Sequence, residues 1–129
     1  MSFILVPKNG EEIKINAWNW RPTLELLRDA EIIDDDLFER LGTHGCKAEV
    51  DADTASRIAA YLEARVLAMK PENRVLADLT VTDRPKKPLI ITPDTKIDQI
   101  DAIDVYSASY EWLVTFRDFS RTSRGFEVL

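Results

Sequence analysis

An α+β fold follows from three features of the chain: β-prone segments mainly near its two ends, a strongly amphipathic helix in its middle, and no regular alternation of strand and helix. Together they predict a small antiparallel sheet, made of an N-terminal hairpin and a C-terminal strand, with three to five helices packed on one side. A length of 129 residues suits one domain, residues 1–129, able to bury a core without metal or disulfide staples.

Each element has its own signal. Ser2 to Val6 is β-prone, Pro7 and Asn9-Gly10 supply a turn, and Glu12 to Asn16 alternates polar and apolar residues, which reads as a hairpin. A helix is expected from about residue 21 to 29, with Pro22 in its first turn and Leu24, Leu27 and Trp20 on one side. Asp34 is placed to cap a short helix that Gly42 ends, and Asp35 and Asp36 complement the positive end of its dipole. After a turn at His44-Gly45 and a short strand from Cys46 to Val50, Asp51 or Asp53 can cap the clearest helix in the chain. Its core face is Ala55, Ile58, Ala59, Leu62, Val66 and Met69, and Pro71 stops it.

The later part is less regular. Val75 to Val81 reads as partly buried, Arg84-Pro85-Lys86-Lys87-Pro88 as a loop, and Leu89 to Thr92 as a strand. Ile97, Ile100 and Ile103 suit one or two helical turns with one wet face. Ser107 is placed to cap a final helix running to about Thr122, with Gly125 as its stop and Phe126 to Leu129 as a closing strand.

Composition narrows the function classes. Apolar residues at 45% and charged residues at 31% are a globular balance. A net charge of −6 opposes nucleic-acid binding, which draws on a basic surface. Apolar runs such as Phe3-Ile4-Leu5-Val6 are too short to cross a membrane, and the amino terminus lacks the pattern of a signal peptide. The single cysteine, Cys46, rules out an internal disulfide and suits a reducing compartment, so the cytoplasm is expected.

Candidate chemistry is sparse. His44-Gly45-Cys46 joins two good zinc ligands, but no second His or Cys exists to complete a site, so a turn histidine and a buried thiol are expected instead. Asp51-Ala52-Asp53 resembles the start of a calcium loop without the required glycine and closing glutamate, and capping explains it better. No phosphate-cradling glycine loop or nucleophile elbow is present. No catalytic residue, metal or cofactor is therefore expected, and the reading leans against an enzyme.

The aromatics are the informative residues. Trp18 and Trp20 stand near one end, and Tyr106, Tyr110, Trp112, Phe116, Phe119 and Phe126 near the other, so the two groups are expected to meet and close the fold. Trp18, Trp20, Trp112 and Phe116 are candidate ligand or partner contacts, and Arg117 and Arg121 could clamp an anion beside the last helix. The acids concentrate from Asp29 to Asp53, against only Arg40 and Lys47, and include the run Asp34, Asp35, Asp36. Such a face can steer a partner with a basic surface. The Arg84-to-Pro88 loop could in turn touch an acidic partner.

The run Ile15-Asn16-Ala17-Trp18-Asn19-Trp20, the Ala-rich helix from Ala55 to Leu67, and Trp112-Leu113-Phe116-Phe119 ending in Ser123-Arg124-Gly125-Phe126 resemble a family of small uncharacterised bacterial proteins. The pattern skips roughly residues 70 to 105, and Arg124 stands where that family has a second glycine. The resemblance implies a bacterial cytosolic α+β protein and carries no activity, ligand or catalytic residue. Two functional expectations result: an acidic binding or regulatory module that acts on a protein partner through its surface, or a small-molecule (anion) site, with or without catalysis, between the last helix and the sheet. A homodimer through an exposed aromatic stripe is compatible with both.

Overall fold

The expected hairpin is the first element of the computed structural model, which describes residues 2–84 and 106–129. Strands β1 (Ser2–Pro7) and β2 (Ile13–Asn16) pair antiparallel, with Phe3 opposite Ile15 and Leu5 opposite Ile13. The remaining partners arrive from far along the chain. Strand β7 (Phe126–Val128) lies against β1, and β3 (Ala48–Val50) lies against β7, giving an antiparallel sheet in the order β2-β1-β7-β3. Register puts Phe3, Leu5, Ile15, Ala48, Val50, Phe126 and Val128 on one buried face, while Lys14 and Glu49 face outward. That alternation is the signature of a sheet covered on one side only.

The covering layer is helical. Helices α1 (Ala17–Asp29), α2 (Asp35–Leu41), α3 (Ala52–Leu67) and α4 (Tyr110–Ser123) are the helices among the described residues. The α+β class holds, with the hairpin and the C-terminal strand in one sheet as expected. A second antiparallel sheet, of order β5-β4-β6, adds β4 (Arg74–Leu76), β5 (Val81–Thr82) and β6 (Ser107–Ser109). Its Val75 and Ala108 join the same apolar core as the first sheet.

Several boundaries differ from expectation for local reasons. Helix α1 starts at Ala17, not near residue 21, because Asn16 caps it: the Asn16 side chain accepts the Asn19 N–H at 2.9 Å. Pro22 consequently lies in the second turn, where it removes a backbone donor. The cap of α4 is Ser109, not Ser107, since Ser107 is committed to pairing with Leu76. Cys46 precedes β3 and is exposed, so the expected buried thiol is not found. The capping roles of Asp34 and Asp51, and the core face of α3, match the sequence reading. The loop from Pro85 onward, the strand at Leu89–Thr92 and the turns at Ile97–Ile103 lie outside the described residues.

The two aromatic groups meet. Trp20 stands edge-on to Phe116 with centroids 5.4 Å apart, Trp112 stacks on Phe116 at 5.2 Å, and Phe116 and Phe119 both contact Phe126. Polar threads fix the closure. The Trp112 indole donates to the Thr23 hydroxyl at 2.8 Å, Thr23 donates to the Asn19 carbonyl, and the Asn19 side chain accepts the Ser109 N–H. The Trp20 indole donates to the Leu41 carbonyl, joining α1 to the end of α2.

Two substitutions test this closure by chemical denaturation. Trp112→Ala removes a stacked ring and leaves Thr23 without its donor, and is expected to cost about 3–5 kcal/mol. Gly125 has φ +102°, and a Cβ there would stand 2.8 Å from the Val50 carbonyl oxygen. Gly125→Ala is therefore expected to cost at least about 2 kcal/mol, from left-handed strain and displacement of β3 together.

Candidate functional site

The expected aromatic and arginine residues separate into different roles. Trp20, Trp112 and Phe116 are core, whereas Trp18 is 36% exposed and rests on Tyr106 with centroids 4.7 Å apart. Arg117 and Arg121 both reach Glu63 on α3, at 3.4 and 2.6 Å, and Arg117 also holds Asp118 at 3.0 Å. These carboxylates raise the Arg117 pKa, first through the Asp118 hydrogen bond. The two guanidinium groups thus share local counter-charges and tie α4 to α3. On α3, Nε and Nη2 of Arg65 are buried without a hydrogen-bond partner, a feature no sequence pattern announces.

Two concavities lie at the junction of α1 and α2. One is a shallow acidic groove of about 340 Å³, lined by Glu25, Arg28, Asp29, Glu31, Asp35 and Leu79. Arg28 pairs with Glu25 at 2.8 Å and lies over the Phe38 ring at 3.8 Å, so its charge is partly engaged. Asp29, Glu31 and Asp35 are exposed and make no ion pair with a described residue. Helix α1 ends in a closed turn in which the Glu31 N–H donates to the Arg28 carbonyl and the Ile32 N–H to the Leu27 carbonyl, both at 3.0 Å. Glu31 takes the left-handed position of that turn, with φ 59°, where glycine is the usual occupant. Asp29 and Glu31 therefore sit at the negative end of the helix dipole, where acids lower stability.

The neighbouring aspartates have structural employment. Asp34 accepts the Leu37 N–H at 2.7 Å and Asp36 pairs with Arg40 at 3.0 Å. Asp35, between them, is the member of the run that lines the groove.

The second concavity, of about 170 Å³, has Phe3, Trp20, Leu24 and Phe38 among its apolar lining and Arg21, Glu39, Thr43 and Tyr106 among its polar lining. It lies on the α2 side of Trp20, not between the last helix and the sheet, where Trp112 and Phe116 are stacked. Beside it, His44 stacks on Phe3 at 3.9 Å and its Nε2 bonds the Ser2 carbonyl at 2.9 Å. Among the described residues no group of His, Cys, Asp and Glu is arranged to hold a metal ion. No described helix is long and apolar enough to cross a membrane.

Comparison with known proteins returns no matching family, no similar curated protein and no similar solved structure. The sites consequently stand on their geometry.

Capping also gives one acid a pH signature. The Thr54 backbone hydrogen bond, first among its causes, holds the Asp51 carboxyl below its ordinary range. A depressed folded pKa contributes stability above the unfolded value and loses it as pH falls through the folded one. Asp51→Asn keeps an accepting oxygen but cannot titrate, so thermal melts below about pH 4 are expected to be less acid-sensitive than wild type.

Proposed function

We propose that the protein is a small acidic binding module whose α1–α2 groove receives a lysine- or arginine-rich segment of a protein partner. The observation that carries this reading is the placement of Asp29 and Glu31. Capping accounts for Asp34 and an ion pair for Asp36, but Asp29 and Glu31 stand at the wrong end of a helix for stability, and Glu31 does so in a left-handed backbone. Residues kept at such a cost, exposed around one groove with Asp35, are suited to an external cation. Four of the groove's six lining residues are acids against one arginine, and all nine acids from Asp29 to Asp53 are exposed, an excess of negative charge that would favour encounter with a basic surface. The single cysteine, exposed and free, suits a reducing compartment such as the cytoplasm.

The reading separates local recognition from net charge. A lysine-rich peptide titrated by calorimetry is expected to bind at low salt and to weaken strongly as the Debye length falls from about 10 Å at 0.1 M to about 3 Å at 1 M. Reversal of Asp29, Glu31 and Asp35 to lysine is expected to abolish binding, while the same reversal of Glu11, Glu12 and Glu72 leaves most of it. Equal losses from the two sets would reduce the effect to overall charge and refute a groove. Glu31→Gly alone is expected to raise stability by about 1 kcal/mol in urea melts while weakening the peptide.

A further inference from the structure

We infer that the smaller pocket beside Trp20 is a binding site for a free α-amino acid with an apolar side chain. Its apolar lining includes Phe3, Trp20, Leu24 and Phe38; the first three are nearly fully buried, so half-buried Phe38 supplies most of the open surface of these four, and the Trp20 indole is fixed behind it by donating to the Leu41 carbonyl. A floor whose polar group is satisfied offers only ring and alkyl surface, which suits an apolar side chain. The volume of about 170 Å³ lies below the roughly 300–1,000 Å³ of pockets for drug-sized ligands and matches one amino-acid-sized molecule.

The lining selects the charge pattern. Arg21 and Glu39 both line the pocket, both are exposed, and neither makes an ion pair with a described residue. Arg21 leans instead over the Tyr106 ring, 6.0 Å from its centroid. A ligand with one charge would cover the pocket while leaving either the guanidinium or the carboxylate partly desolvated and unpaired. A zwitterion satisfies both, its carboxylate toward Arg21 and its ammonium toward Glu39, with the side chain on the aromatic floor. The Thr43 hydroxyl donates to the Glu39 carbonyl at 2.7 Å, so its oxygen remains able to accept from the ammonium.

The site differs from the acidic groove in every lining residue, so the two proposals fail independently. The test is titration of the full chain with L-phenylalanine, phenethylamine and hydrocinnamate, following the Trp20 indole N–H by NMR. Saturable shifts are expected with L-phenylalanine at millimolar concentration, with about tenfold weaker binding of the two singly charged analogues. Glu39→Gln is expected to weaken L-phenylalanine about tenfold and to strengthen hydrocinnamate, whose binding no longer strands a carboxylate, and Arg21→Gln to weaken L-phenylalanine similarly and to strengthen phenethylamine. Ala17 also lines the pocket, at the first position of α1, so Ala17→Leu should fill it and abolish binding while circular dichroism confirms the fold. No saturable shift with L-phenylalanine, equal affinity for all three molecules, or retained binding in folded Ala17→Leu would each overturn the assignment. Binding that survives the Asp29, Glu31 and Asp35 reversals is expected, since those residues belong to the groove alone.

Discussion

The structure depends on the contact between Trp20 and the pair Trp112–Phe116. These rings lie about ninety positions apart in the chain, and their packing makes α1 and α4 neighbours over the buried face of the first sheet. Apolar packing alone would tolerate sliding, because ring on ring has no fixed register. The hydrogen-bonded thread from the Trp112 indole through Thr23 to the Asn19 carbonyl, with Ser109 held by the Asn19 side chain, removes that freedom. Asn19 thereby fixes the start of α4, and α4 in turn delivers β7 to the sheet. The Asn16-Ala17-Trp18-Asn19-Trp20 run is thus mainly architectural: Asn16 caps, Asn19 positions and Trp20 packs, while Trp18 remains at the surface.

Legibility in the sequence tracked how local the controlling physics is. Helix α3 was readable because its cap, its three-and-four spacing and its stop lie within about five turns of one another, and all six expected core residues are buried. The start of α1 is not legible, because Pro22 reads as a first-turn proline, whereas the true start is set by Asn16 accepting the Asn19 N–H. The second sheet had no alternation to read, since β4 and β6 are three-residue strands defined by pairing Val75 with Ala108 across the chain. Cys46 is exposed because the strand begins only at Ala48, two residues beyond it, so nothing in a sheet covers the thiol.

The candidate sites were legible in composition and not in place. The acidic stretch was visible, but the run Asp34-Asp35-Asp36 drew attention to residues of which one caps and one pairs with Arg40. Asp29 and Glu31 stand out only once α1 is known to end between them, since the cost of an acid depends on which helix end it meets. The pocket beside Trp20 gathers residues from β1, α1, α2 and the segment before β6, a juxtaposition that no spacing rule contains. Arg117 and Arg121 illustrate the converse: their place beside the aromatic stripe of the last helix suggests an anion clamp, but Glu63, distant in sequence, engages both.

The position of β7 has a consequence for how the chain is made. It lies between β1 and β3, so the earliest strand and the middle one have no contact in the sheet until Phe126–Val128 arrive. During synthesis the hairpin and α3 can form early, but β1 presents an unpaired edge throughout that interval. Such an edge is a template for wrong partners, and the closing contacts are of high sequence separation and hence slow. The last residues of the chain are therefore the ones that close the sheet, and the interval before they arrive is when β1 is open to wrong pairing.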